Sequence, residues 1–180
     1  MKFFKSFLFS ILISSFVQAQ DNPSVEKNQF KIDFLNPGLT FEHGLTKKST
    51  LFSEVGLGLS YQYSSNYGST FVASPFIQTE YRYYYNFERR MRKERDVSHN
   101  SGNFFGLNAG YTFEPITNNE QNFISNTNLA GIYGYQRTNK SGFNYGLKFG
   151  VGYSISEAND DAFYPYFDFS IGWVLGKKNK

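Results

Sequence analysis

From residue 143 onward the chain alternates with a period of two. In GFNYGLKFGVGYSIS the odd positions hold Phe143, Tyr145, Leu147, Phe149, Val151, Tyr153 and Ile155. The even positions hold Asn144, Gly146, Lys148, Gly150, Gly152, Ser154 and Ser156. FYPYFDFSIGWVLG repeats the rhythm, with Phe167, Phe169, Ile171, Trp173 and Leu175 against Tyr166, Asp168, Ser170, Gly172 and Val174. Successive side chains on a strand point to opposite faces, so this pattern predicts strands with one bulky apolar face and one small or polar face. LFSEVGLGLSYQY, FVASPFIQTEYRYYYNF and NFFGLNAGYTFE read the same way, and the second of these predicts one strand running on through Phe87. NLAGIYGYQ, residues 128–136, is a strand whose two faces the pattern leaves open.

Near the start, FKIDFLNPGLTFEHGL changes phase: Phe30, Ile32 and Phe34 are even, Leu39, Phe41 and Leu45 odd. Asn36-Pro37-Gly38 lies at the break, where Pro fixes φ and Gly tolerates φ > 0. Two short strands joined by a tight turn are expected, with one long bent strand as the alternative. The total is then eight strands.

The minor face separates two environments. In a soluble sandwich or lipocalin-like barrel the bulky face would form the core; in a membrane barrel it would meet lipid and the small face would fill the interior. Glycine crowds the small face, which a solvated strand surface does not require and a narrow eight-stranded interior does. Lys31, Asp33, Glu42, Glu54, Glu80, Arg82, Lys148 and Asp168 also fall on that face. Both signs are present, as an interior charge network requires. Aromatics gather toward strand ends (Tyr61, Tyr63, Tyr81, Tyr83, Tyr85, Phe105, Tyr153 and Trp173), the place of an interfacial girdle. The expected fold is all-β: an eight-stranded antiparallel up-and-down transmembrane β-barrel, with the lumen charge network made by the eight residues just named.

The N-terminus suggests the compartment. MKFFKSFLFSILISSFVQAQ has Lys2 and Lys5, an apolar run from Phe7 to Val17 and then Val17-Gln18-Ala19, the pattern of a cleavable signal peptide. The run is too short to span a bilayer. The expected division is a signal peptide at 1–19, a flexible segment at 20–28, the barrel at 29–177 and a tail at 178–180. Removing the two lysines takes the formal charge from +3 to +1, which argues against nucleic acid as a partner. The 180 residues suit one domain, and with no cysteine there is neither a disulfide framework nor a thiolate metal site. An exported barrel with both ends in the periplasm needs an even number of strands. EANDDA and PITNNEQNFIS then become external loops, and TKKS, TNKSG and the basic segment 88–102 become periplasmic turns.

The signal ending VQAQ, the opening KIDFLNPGLTFEHGLTKKSTLFSEVGLG, the middle YRYYYNFERRM with NSGNFFGLNAGY, and the terminal strand YFDFSIGWVLG resemble small, mostly uncharacterised outer-membrane β-barrel proteins of flavobacteria and other Bacteroidota. More distantly the chain is similar to the eight-stranded OmpX and the OmpA transmembrane domain. The resemblance implies outer-membrane lipid and the outer-membrane insertion machinery as partners. Barrels of those groups commonly end on an aromatic residue, whereas GKKNK follows the last strand here, so Trp173 or Leu175 would serve in the assembly signal.

Candidate chemistry is sparse. His43 and Ser53 share the outward face, as in barrels that modify lipid A, but no acidic residue joins them there, so no triad is expected. Two histidines and no cysteine make no metal spacing, and the carboxylates of EANDDA match no calcium loop. ERRMRKERD carries Arg89, Arg90, Arg92, Lys93 and Arg95 among three acidic residues. It reads as a solvated turn, with room for one helical turn, whose mixed charges pair locally, or, more sharply, as a periplasmic contact with anionic phospholipid headgroups or peptidoglycan. The expectation is a non-enzymatic structural or surface-interaction protein without cofactors, meeting any surface ligand through external loops. A lipid A-modifying enzyme and a soluble secreted barrel for an apolar ligand are the alternatives. A porin-like pore is disfavoured by bulky interior Phe52, Phe76 and Tyr84.

Overall fold

The computed structural model describes residues 24–64, 68–116, 125–156 and 161–175. The expected signal peptide, the C-terminal tail and much of the expected external loops lie outside these residues. Eight strands follow in order: β1 (Asn28–Asp33), β2 (Gly38–Gly44), β3 (Ser49–Ser64), β4 (Gly68–Tyr83), β5 (Gly102–Thr112), β6 (Asn126–Thr138), β7 (Phe143–Ser156) and β8 (Ala162–Leu175). Between β4 and β5 lie a helix, α1 (Phe87–Arg92), and a 3-10 turn (Ser98–Asn100). Each strand pairs antiparallel with the next, and β8 pairs with β1 to close the ring. No helix among the described residues is long and apolar enough to cross a membrane, which says nothing of crossing by strands.

The phase change near the start is the β1–β2 turn. Asp33 pairs with Gly38 across it, so β1 turns its odd residues inward and β2 its even ones. Inner positions are Lys31, Asp33, Thr40 and Glu42, all buried, while Phe30, Leu39 and Phe41 are exposed. The same rule holds round the ring. It resolves β6, where Ala130, Ile132, Gln136 and Thr138 are buried and Leu129 is exposed. Gly134 faces inward beneath Phe104, whose ring occupies the space a Cβ would take.

Followed once round the ring, the pairings return to β1 displaced by about twelve residues. Such a stagger tilts the strands strongly and widens the lumen for a given strand number. Large inner side chains therefore fit: Phe52, Arg82, Phe104 and Lys148 are all buried.

One end of the ring is closed. β4 ends at Tyr83, so the strand expected to run on through Phe87 stops four residues earlier. Tyr84 turns beneath the lumen, its ring 5.3 Å from that of Phe104 and 5.9 Å from that of Phe87. Phe87 belongs to α1 and is 1% exposed rather than outward-facing. Segment 88–102 is thus folded against the barrel, not a free turn. Gln136 Nε2 donates to the carbonyls of His99 and Asn100, and Thr138 N donates to Ser101 Oγ. Residues 24–28, expected to be a flexible lead-in, also pack here. Val25 is buried with Tyr84, Phe87 and Phe104, its N–H donates to Lys47 O, and Glu26 N donates to Asn100 Oδ1 at 2.7 Å. The physical reason is common to both corrections: the wide mouth exposes apolar inner residues that only non-local chain can cover.

Gly134→Val should force the Phe104 ring out of its place and lower stability by about 1–3 kcal/mol. Denaturant unfolding of the purified protein would measure this; an unchanged midpoint would mean the lumen is looser than described.

Candidate functional site

The charged inner residues sit on different strands, and the curvature of the ring turns them toward one another. Glu80 on β4 is at the centre. Arg82 Nη2 lies 2.6 Å from Glu80 Oε2, and Lys148 Nζ lies 2.6 Å from Glu80 Oε1. Lys148 also reaches Asp168 at 2.9 Å. On the other side Arg82 Nη1 is 3.8 Å and Lys31 Nζ 3.3 Å from Glu42 Oε2. A chain of ion pairs thus runs across the lumen from β8 to β1. Arg82 is sandwiched between rings, its Cζ 3.5 Å from the centroid of Phe52 and 4.6 Å from that of Phe104, where its charge meets the negative ring faces.

Two of the eight charges inferred from sequence stand beside this chain rather than in it. Asp33 accepts from Thr40 Oγ1 at 2.7 Å, and Glu54 accepts from Gln78 Nε2 at 2.7 Å. Neutral residues complete the network: Tyr84, expected in the interior for its bulk alone, and Gln136 and Thr50, which the sequence reading did not single out. Gln136 Oε1 accepts from both Lys31 and Arg82, and Glu42 Oε1 accepts from Thr50 and Tyr84. Gln136 and Thr50 are buried on the same inward face as the charges and Tyr84 is buried beneath it, so charge alone was too narrow a criterion for finding the whole network. The cavity bordered by Lys31, Glu54, Arg82 and Lys148 is about 20 Å³, roughly room for one water. Chemically the cluster is a set of mutually satisfied charges that fills the lumen.

On the outer wall, His43 Nδ1 is 2.7 Å from Asn28 Oδ1. His43 pairs across the ladder with Leu51, and Ser53 with Phe41. Ser53 Oγ lies 3.5 Å from Thr79 Oγ1, and no carboxylate of the described strands shares the outward face of His43 and Ser53. No group of three metal-ligating side chains is arranged to hold an ion among the described residues. Of the acidic loop, Glu157 and Asp160 lie outside those residues, while Asp161 Oδ1 accepts from Ser156 N.

At the closed end Arg89, Arg92, Lys93 and Arg95 are exposed and Arg90 is half-buried. Glu88 forms an ion pair with Lys48 at 2.8 Å. That hydrogen bond lowers the Glu88 pKa and raises that of Lys48, each charge stabilising the other. Arg90 donates to the Asp96 carbonyl. Burial, with the positive charges of Arg137 and Arg95, lowers its pKa. Arg137 had gone unnoticed in the sequence, yet it is the one charged residue on the outward face of the described strands. It lies at the rim, stacked 3.8 Å from the centroid of Tyr135 and bonded to Gly102 O and Asn103 Oδ1.

Among known families, the model of DUF3575, a protein of unknown function, matches residues 5–167. No curated protein and no solved structure matches the chain.

Glu80→Gln would leave Arg82 and Lys148 buried with too little counter-charge and should cost about 3–5 kcal/mol. Asp168→Asn, at the partly solvated end of the chain, should cost under about 1 kcal/mol. Urea titration of both variants tests this ordering, and equal losses would refute the central role given to Glu80.

Proposed function

We propose that this chain, which belongs to the DUF3575 family of unknown function, is an exported outer-membrane β-barrel with a filled interior and no catalytic centre. It serves membrane integrity, surface contact or adhesion, meeting its partners through the external loops at the end opposite the closed one. The carrying observation is the polarity of the wall. Phe105, Leu107, Phe149, Val151 and Phe167 are each about half exposed or more, while ionic residues line the lumen. A continuous outer surface of this kind is unusual in a water-soluble monomer. The strands from β3 to β8 have 11 to 16 residues, enough when tilted to cross an apolar layer of about 25 Å.

The same polarity weighs against a soluble carrier, whose aromatic face would line the interior. The small cavity and the closed end weigh against a porin-like pore. The lack of a carboxylate on the outward face of the described strands beside His43 and Ser53 weighs against lipid A modification. In this reading outer-membrane lipid bathes the wall and the outer-membrane insertion machinery assembles it. The closed end then faces the periplasm, and the exposed cations of α1 and the following turn lie near anionic headgroups, with Arg137 and its tyrosines at the interface.

Cell fractionation should recover the protein in the outer membrane, needing detergent for release and migrating differently in gels before and after heating. A freely soluble periplasmic product would overturn the reading. Replacing Arg89, Arg90, Arg92, Lys93 and Arg95 with glutamine should reduce retention of phosphatidylglycerol by the detergent-extracted protein more than tenfold, since each cation near such headgroups contributes about 1 kcal/mol. Lipid analysis by mass spectrometry reads this out, and unchanged retention would refute the headgroup contact.

A further inference from the structure

At the closed end the fold gathers guanidinium groups from two distant places in the chain. Arg90 N donates to Asn86 O at 3.0 Å, and Asn86 Oδ1 accepts from Asn103 N at 2.9 Å. Asn103 Oδ1 in turn accepts from Arg137 Nη2 at 2.7 Å. These three bonds tie α1, the start of β5 and the end of β6 into one unit. Arg95 joins it through its N–H, which donates to Arg90 O at 3.0 Å.

Acidic side chains do not balance this gathering. The bonds of Arg137 go to the Gly102 and Gln136 carbonyls and to the Asn103 amide oxygen, all neutral. Arg90 donates through Nη2 to the Asp96 carbonyl. Its Nε, shielded from solvent, has no hydrogen-bond partner among the described residues. Glu88 is taken by Lys48, and Asp96 Oδ1 accepts from Ser98 N and Oγ. Burial, then the charges of Arg137 and Arg95, hold the Arg90 pKa down, and Asp96 offsets less than either charge does. An unspent buried donor and neighbouring like charges both cost stability. An anion held between the two guanidinium groups would relieve both.

The surroundings say which anion. Arg137 stacks on Tyr135 and pairs across the ladder with Tyr145. The Tyr135 and Tyr145 rings lie 6.2 Å apart, and Phe143 carries the band of rings on to Trp173. Such a belt marks headgroup depth in a membrane wall. Beyond it, toward the middle of the wall, the next outward residues of β7 are Leu147 and Phe149. A soluble anion would have no use for that apolar track, whereas an acyl chain would lie along it.

We infer that Arg90 and Arg137 clamp the phosphodiester of a single anionic glycerophospholipid, whose acyl chains run down the wall over Leu147 and Phe149. The planar guanidinium fork matches two phosphoryl oxygens at once. Uncompensated positive charge at the same place disfavours a headgroup that carries its own ammonium. On the outer-membrane reading above, which this site presupposes, the lipid belongs to the periplasmic leaflet.

The detergent-purified protein is offered equal amounts of phosphatidylglycerol and phosphatidylethanolamine, and native mass spectrometry counts what stays bound. Wild type should saturate at one phosphatidylglycerol per barrel, in preference to phosphatidylethanolamine. Arg137→Lys and Arg90→Lys keep the charge and remove the fork, and each should weaken that binding at least about tenfold. Lys140→Gln removes an exposed cation from the β6–β7 turn at the same end and should change it less than about twofold at physiological salt. Heat-modifiable migration verifies folding; should Arg137→Lys fail to fold, Arg90→Lys carries the test, since the Arg90 guanidinium bonds only a carbonyl outside the strands.

Binding by both lysine variants at the wild-type level, an equal loss in Lys140→Gln, or equal retention of the two lipids would overturn the clamp. Displacement of the lipid by millimolar inorganic phosphate would assign the site to a soluble anion instead and overturn the lipid. A chain that stays monodisperse without detergent would overturn the outer-membrane reading itself, an outcome separate from any of these.

Discussion

A closed ring of strands with an apolar outside has one place to keep its charges, and there each must find an opposite partner, since burying an unpaired ion costs several kcal/mol. Glu80 meets that constraint for two cations at once, at 2.6 Å to Arg82 and 2.6 Å to Lys148. Glu42 does the same for Lys31 and, at longer range, Arg82. The aromatic faces of Phe52 and Phe104 then pack against the Arg82 guanidinium. Charge pairing and ring packing thereby fill a lumen that the strong stagger of the strands would otherwise leave open.

The same width explains the closed end. An eight-stranded ring with this stagger has a mouth too broad for its own inner side chains to seal. Chain from two distant places does it instead: Val25 from before β1, and Tyr84, Phe87 and Asn100 from the β4–β5 connection. These residues are almost fully buried. The amphipathic α1 lays Phe87 against the barrel and leaves its arginines outside, so one short element both seals the lumen and builds the basic surface.

The opposite end is organised differently. There β1 and β2, with 6 and 7 residues, stop short of their neighbours β8 and β3, with 14 and 16.

The amino-acid sequence by itself determined the strands, because a period of two is a local property that any eight or ten residues can display. It also determined which face of most strands carries Glu, Lys and Gly; at Asn36-Pro37-Gly38 it offered a turn or a bend, and the β1–β2 pairing made it a turn. The pairing of Glu80 with Lys148 and of Glu42 with Lys31 was not legible, since it depends on register and closure, which relate residues on different strands. The inward face of β6, where Ile132 and Leu129 are equally apolar, was decided by the ladder from β5. Phe87 kept the strand rhythm in sequence and left the strand in space, because burial beneath the lumen outweighed a local pattern. The uneven wall likewise follows from where Gly38 and Gly172 meet their partners, a fact of tertiary register alone.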